Sequence, residues 1–276
     1  ILMSKYKKYS GAGNKFLMVN NLNDSVKVSG ELVIELMQVH TGLDGVIFIE
    51  TSSIADYKMN YYNKDGTGDA LCGNGLRCTA MFLKDEGIIN SEIILIEGVG
   101  KIYDCRFTDD GEISVGFPPP AKMKFKFKLK VHFAEWWQLI SVSYVDVGSP
   151  HAIIFIDDIE KPVVNNLEEI PIEEWGKYVR MHKDFLPDGV NSHFVKVLDA
   201  ENGELQIRSF ERGVEGETLA CGTGSLSTAI AAYAVKNVKV PVKLLTKSNE
   251  FLTVYFKVVE GVIRELKLKG KAVKID

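Results

Sequence analysis

The chain has 276 residues, 46% of them hydrophobic and 25% charged, with a formal net charge of −4. That length suits about two domains with a sizeable core. The composition excludes a disordered chain, and the acidic balance argues against a general nucleic-acid binder. No run approaches roughly 18 consecutive apolar residues, so no membrane-spanning helix is expected. No apolar leader is visible, and Ile1 and Leu2, ahead of Met3, read as an addition to the natural start.

Taken along the chain, the first helical pattern is Glu31–His40. Tyr57–Tyr62 reads as a strand. A second helix starts near Gly73 and runs through Leu76, Ala80, Met81 and Leu83. Glu92–Glu97, Lys101–Phe107 and Glu112–Val115 are β-rich runs divided by Gly and Asp turns. Pro118, Pro119 and Pro120 cannot continue a ladder and suggest a domain junction, with one half over 1–119 and the next over 120–261. Lys122–Val131 alternates lysines with Phe125, Phe127, Leu129 and Val131, which predicts one wet face and one buried face. Lysines commonly protect sheet edges, so a basic nucleic-acid strip is the weaker reading of that run. Glu173–Val179 is a third helical stretch, and a fourth runs from Gly222 through Leu226, Ala229, Ile230 and Tyr233. Many strands with few helices indicate the α+β class.

Cys72, Cys78, Cys105 and Cys221 form no C-x-x-C pair. His40, His132, His151, His182 and His193 show no metal-ligand spacing. Free thiols in a reducing cytosol are expected, without a structural zinc. Cys78, six positions into a helix, and Cys105, within a strand, read as small buried hydrophobes.

The most informative feature is a repeat. Cys72-Gly73-Asn74-Gly75 and Cys221-Gly222-Thr223-Gly224 lie 149 residues apart (221 less 72), and each leads into an apolar helical segment. Ser10-Gly11-Ala12-Gly13-Asn14 and Val147-Gly148-Ser149-Pro150-His151 form a second echo. Internal similarity on this scale predicts two homologous halves. A Gly-rich turn before a helix exposes unpaired N–H groups that bind an anion. A cysteine there is expected to have a lowered thiol pKa. Two such corners can grip a carboxylate and flank its α-carbon. One thiolate then removes the α-proton while the opposite thiol protonates the other face. Preorganised donors must stabilise the charge that builds on the carboxylate. Asn63, Glu211 and Arg212 flank the corners, and Arg is the natural bidentate partner of a second carboxylate.

At these residues the chain resembles the diaminopimelate epimerases. The matching motifs are Ser10-Gly11-Ala12-Gly13-Asn14, Asn63-x-Asp65-Gly66-Thr67, Cys72-Gly73-Asn74-Gly75-x-Arg77-Cys78, Pro150-His151, Asn191-x-x-Phe194 and Glu211-Arg212-Gly213-Val214-x-x-Glu217-Thr218-x-Ala220-Cys221-Gly222-Thr223-Gly224. The resemblance implies interconversion of LL- and meso-diaminopimelate without PLP or any other cofactor and without a metal, in lysine and peptidoglycan synthesis. It implies two pseudo-symmetric domains, each a mainly antiparallel, barrel-like sheet around a central helix, with the site in the cleft between them. The last segment, 262–276, would return to the first domain. A cytoplasmic homodimer is implied, with diaminopimelate as the small-molecule partner and neither nucleic acid nor membrane.

By motif position, Cys72 and Cys221 would carry the proton transfers. Gly73, Asn74, Gly222 and Thr223 would give backbone donors to the reacting carboxylate. Asn14, Asn63, Asn191 and Arg212 would hold substrate polar groups. His151 and Glu211 would tune the thiols or orient substrate. Three departures concern the distal end of the substrate: Ser149 where the family has Asn, Lys15 where it has Asp, and a short loop over Val39–Gly45. They keep open a related racemase with another substrate. A dithiol redox protein would leave the carboxylate nest and Glu211-Arg212 idle, and a binding module would leave two matched thiols unexplained.

Overall fold

The computed structural model describes residues 6–68 and 71–276. Ile1 and Leu2, read as an addition, lie outside the described residues. The class is α+β, and the chain divides into two compact units, 1–117 with 269–276, and 118–268.

In the first unit, strands β1 (Tyr6–Gly11) and β2 (Asn14–Asn20) form an antiparallel hairpin. Helix α1 (Gly30–Val39) crosses over to β3 (Gly45–Glu50), parallel to β2, and β4 (Tyr57–Asn63) returns antiparallel. Helix α2 (Gly73–Asp85) leads to β5 (Ile93–Gly98), parallel to β4, then β6 (Lys101–Phe107) and β7 (Ile113–Gly116), both antiparallel. The last strand of the chain, Val273–Ile275, pairs with β1. Helix α2 touches all eight of these strands and is buried from Gly73 through Ala80. Cys78 and Cys105 are fully buried in this unit.

The second unit repeats that order. Strand β8 (Lys122–Phe133) pairs antiparallel with β9 (Trp136–Asp146), which turns into β10 (Pro150–Phe155). Helix α3 (Ile172–Arg180) lies in the crossover to β11 (Asn191–Asp199), parallel to β10. Strand β12 (Glu204–Glu211) returns antiparallel, and the short β13 (Gly216–Thr218) precedes helix α4 (Gly222–Lys236). Then β14 (Val242–Leu245) runs parallel to β12, β15 (Phe251–Val259) antiparallel to β14, and β16 (Val262–Gly270) follows. The two echoed motifs thus occupy equivalent places. Gly11–Asn14 turns β1 into β2, and Val147–Pro150 turns β9 into β10. Each Cys-Gly-x-Gly opens the helix ahead of a parallel-paired strand.

All four predicted helices are present. The alternation in β8 also holds, with Leu129 and Val131 buried and the lysines outside. It is not uninterrupted: the register to β9 shifts between Lys124 and Phe127, where Lys126 takes a left-handed φ of 53°. That is the geometry of a bulge, which bends the strand and aims it onto the sheet.

Strand β10 and the first half of β11, which pair in parallel, are buried on both faces, as parallel-paired strands usually are. Ala152, Ile154, Phe194 and Phe210 face a core completed by Trp175 and Val179 of α3. Trp175 stacks on Phe133 with ring centroids 4.4 Å apart and planes 5° from parallel. The odd-numbered residues of the same strands point to the opposite face. Trp175→Ala should therefore cost about 3–5 kcal/mol, the range for deleting a large buried aromatic. Urea unfolding followed by circular dichroism should show a lowered midpoint at unchanged slope; an unshifted midpoint would show that this stack does not hold the unit.

Candidate active site

In the first unit the site begins at the end of a hairpin and the start of a helix. Cys72 is the N-cap of α2 in extended backbone (φ −127°, ψ 109°), and its sulfur accepts from Gly75 N–H at 3.3 Å. Gly75 is closely packed: a Cβ would meet Ile47 at 3.0 Å and Met59 at 3.2 Å, and both side chains would have to shift by a few tenths of an ångström. The amide of Asn74 donates to the Asn14 side chain, and its oxygen accepts from Arg77 Nη2 at 2.7 Å. Arg77, fully buried, also donates to the carbonyls of Gly73 and Lys271, each at 3.4 Å. The Gly73–Asn74 turn is thus braced from beneath by a guanidinium. The Asp44 carboxylate, in the short loop, accepts from Lys15 N–H at 2.8 Å and from Asn14 Nδ2 at 3.5 Å. Lys15 therefore takes part through its backbone.

Asn63 stands on its own loop. Its Oδ1 accepts from Tyr61 Oη at 2.8 Å and its Nδ2 donates to Thr67 Oγ1 at 3.0 Å. Asp65 accepts from both Thr67 groups, which holds its carboxyl below the usual range. Asn63 is a loop brace in this structure.

In the second unit Cys221 is the N-cap of α4 with nearly the same backbone (φ −114°, ψ 112°), and its sulfur accepts from Gly224 N–H at 3.3 Å. The odd face of β10–β12 brings the other groups to it. His151 and Asn191 are register partners in β10 and β11, and His193 and Ser209 are partners in β11 and β12. With a period of two, His151, Asn191, His193, Ser209 and Glu211 share one face.

A buried hydrogen-bond chain runs along that face. Cys221 Sγ lies 3.8 Å from Thr223 Oγ1, which accepts from Ser149 Oγ at 3.4 Å. Ser149 Oγ is 2.8 Å from His151 Nε2, His151 Nδ1 is 2.8 Å from His193 Nε2, and His193 Nδ1 is 2.8 Å from Ser209 Oγ. The Glu211 carboxylate hydrogen-bonds to Thr218 and to the Cys221 thiol.

Electrostatics here follows burial. Desolvation pushes Cys221 well above the ordinary thiol range, and the Glu211 carboxylate adds to it; the Gly224 N–H and Thr223 pull the other way and lose. The lowered pKa expected from a helix start is thus overturned at Cys221. A buried thiolate loses more hydration than one N–H and a half-charge return. Burial raises the Glu211 carboxyl against the hydrogen bonds from Thr218 and Cys221. Burial also pushes His151 well below the usual imidazole value, with His193 and Arg212 adding to it, and lowers His193 to about 3.

Asn191 bridges two loops: its amide donates to the Pro150 carbonyl at 3.0 Å and its oxygen accepts from Arg212 N–H at 2.8 Å. Arg212 is exposed, with Nη1 3.4 Å from the Asp188 carbonyl, and it lines a cavity of about 810 Å³ together with Lys122, Lys124 and Lys128. Cys72, Asn14, Asn63, Gly73 and Asn74 gather in the first unit, and Cys221, Gly222, Thr223, Ser149, His151, Asn191, Glu211 and Arg212 in the second. Sequence reasoning missed His193 and Ser209 as members of the site. The signal for His193 was its position two residues after Asn191, hence on the same strand face.

The two buried rings make a prediction for stability. Both are neutral in the fold, whereas an unfolded imidazole protonates near pH 6.5. The unfolded chain then binds more protons than the folded one, so stability falls as pH drops below ~6.5 and goes on falling toward the depressed folded values. In urea titrations between pH 7 and 4, His193→Gln should show a slope shallower by about one proton than the wild type. Equal slopes would mean that His193 is not buried neutral.

Comparison with known proteins shows the family and the fold. The family model described as diaminopimelate epimerase matches residues 6–121 and 143–262. A diaminopimelate epimerase of Chlorobaculum tepidum is 34% identical over 267 residues, covering 95% of this chain and 96% of its own. One from Aquifex aeolicus is 32% identical over 284 residues, covering 98% and 95%. Among solved structures, a PhzF-family phenazine biosynthesis protein of Bacillus anthracis shares the fold with a TM-score of 0.75 at 18% identity, covering 98% of this chain and 96% of that one. A hydroxyproline epimerase of Agrobacterium vitis does so with a TM-score of 0.65 at 13% identity, covering 98% and 88%. With the matched family model spanning most of the sequence and relatives above 30% identity along nearly its whole length, the chain belongs to the diaminopimelate epimerase family.

Proposed function

We propose that the protein interconverts LL- and meso-diaminopimelate by two-thiol proton transfer, with neither PLP nor a metal ion in the reaction. The observation that carries this reading is the matched pair of cysteine N-caps, each sulfur 3.3 Å from the N–H of the glycine three residues on. The first-turn N–H groups of Gly73, Asn74, Gly222 and Thr223 have no intrahelical partners and suit a carboxylate. Charge that moves onto that carboxylate as the α-proton leaves is stabilised by those fixed donors.

Cys72 and Cys221 act on opposite faces of the α-carbon in this reading. Burial keeps Cys221 in its thiol form at neutral pH, the form that delivers a proton. In the reverse direction the Glu211 carboxylate, hydrogen-bonded to that thiol, is placed to take its proton. Neutral His151 orients Ser149 and, through it, Thr223. Arg212, fixed through Asn191, is the group for the distal carboxylate. Asn14 and Asn74 hold the first nest in shape. The same reading makes the enzyme a cytoplasmic homodimer in lysine and peptidoglycan synthesis.

The test uses LL-diaminopimelate in deuterium oxide, followed by proton NMR. Epimerisation with deuterium entering the α-position is expected from the wild type. Cys72→Ser and Cys221→Ser should each lower epimerisation by several orders of magnitude, because a hydroxyl pKa lies far from the operating pH. With an analogue carrying a β-leaving group, each single mutant should still eliminate from one stereoisomer, with opposite preferences. The same preference in both mutants would sink the two-thiol reading.

Arg212→Lys keeps the charge and loses the planar fork. A loss of about 1.5–3 kcal/mol in kcat/KM is expected, the range for a hydrogen bond to a charged group. An unchanged kcat/KM in a normally folded variant would remove Arg212 from distal-carboxylate recognition.

A further inference from the structure

Three potential metal ligands converge behind the Cys221 thiol. A ring nitrogen of His151, one of His193 and the sulfur of Cys221 all lie within 4.8 Å of one another, and all three residues are buried. They are far apart in sequence, which is why the histidine spacings predict no ligand set. We propose that His151, His193 and Cys221 form a binding site for a soft divalent cation of the zinc class, which occupies the enzyme in an inactive state. The binding stands on this geometry alone; the inactivation rests on the epimerase reading, in which Cys221 must be free.

The hydrogen-bond chain is arranged as such a site requires. Ser149 donates to Thr223, so its oxygen accepts from His151 Nε2–H. That assignment leaves the Nδ1 lone pair of His151 pointing at His193 Nε2, 2.8 Å away. Ser209 Oγ, 2.8 Å from His193 Nδ1, can either donate to that nitrogen or accept from it. When it accepts, His193 also turns a lone pair inward. Each outer ring nitrogen then donates to a serine oxygen, the support that orients metal-binding histidines. A cation replaces the proton shared by the two rings.

Zinc takes imidazole nitrogen at about 2.0–2.1 Å and thiolate at about 2.3 Å, so the two rings need to part by roughly half an ångström and the sulfur to close on them by roughly one ångström or less. The His193 ring is seated against α4, where a Cβ on Gly224 would lie 2.3 Å from His193 Cε1 and 3.0 Å from Cys221 Sγ. The glycine therefore lets ring and sulfur approach one another. Charge also balances: the Cys221 thiolate and the Glu211 carboxylate beside it supply two negative charges for the divalent ion. On binding, the proton on His193 Nε2 moves to Nδ1, and the Cys221 thiol releases its proton to solvent. No electron is transferred.

The reduced, chelator-treated protein should be titrated with cobalt(II), and with zinc in competition with a chromophoric chelator. One cobalt per chain is expected, with a thiolate-to-metal charge-transfer band in the near ultraviolet. Cys221→Ser should abolish that band and Cys72→Ser should leave it. His193→Gln should weaken zinc binding at least tenfold, and Ser209→Ala about 10–100-fold, the range for losing an outer-shell partner. Circular dichroism confirms that each variant is folded, and His151→Gln serves as a second ligand variant should His193→Gln not fold. A band that survives Cys221→Ser, a band lost in Cys72→Ser, zinc affinity indifferent to both histidine variants, or no stoichiometric binding by the wild type would each overturn the proposal. Loss of turnover in parallel with zinc occupancy, reversed by EDTA, is expected of the active enzyme. Binding without loss of turnover would overturn the inactivation while leaving the cobalt result in place.

Discussion

A helix enclosed by sheet must find acceptors for the N–H groups of its first turn, because water cannot reach them all. Helices α2 and α4 are both in this position, and in each a cysteine sulfur takes one of those groups. Much of each site follows from that constraint. The capped residue is glycine in both: at Gly224 a Cβ would lie 2.3 Å from the His193 ring, and at Gly75 it would press on Ile47 and Met59 at 3.0 and 3.2 Å. The remaining first-turn donors have no partner within the helix. Cys-Gly-x-Gly is therefore a packing solution in its own right, in which the capping sulfur and the first-turn N–H groups are inseparable parts.

The second unit shows how burial sets the protonation of such a nest. A helix N-terminus favours a thiolate, but only within its first turn and by a modest amount. Enclosure by β10–β12 removes far more hydration than that gain, and the Cys221 thiol keeps its proton. The neighbouring imidazoles answer the same force in the opposite sense and stay neutral. What results is a string of uncharged donors and acceptors.

Much of this was legible in the sequence. The helix starts and the repeated Cys-Gly-x-Gly each depend on local residue chemistry, which a single chain displays. The convergence of His193 on His151 did not show, because it depends on the parallel register of β10 and β11 and on which face of a doubly buried sheet turns toward α4. Asn63 and Asn191 illustrate a further limit. Their presence beside the motifs was plain, but the amide of Asn63 braces its own loop and that of Asn191 ties Pro150 to Arg212. The fate of a side-chain amide depends on partners that only the folded backbone supplies. Likewise the sign of the thiol shift at Cys221 depended on depth of burial, which motif chemistry does not encode.

The pairing of His151 with His193 also places the second site in time. The two rings are 42 residues apart, joined by a crossover that contains α3. A contact of that span requires the chain to close a long loop before anything is gained from it. The Cys221 cap, by contrast, joins residues three apart and forms as soon as its helix turn does. The cap is thus a local contact, while the polar chain beside it is completed only where β10 and β11 pair side by side. The place of the sulfur is thus set by its own helix turn, and that of the imidazoles around it by the closure of the crossover.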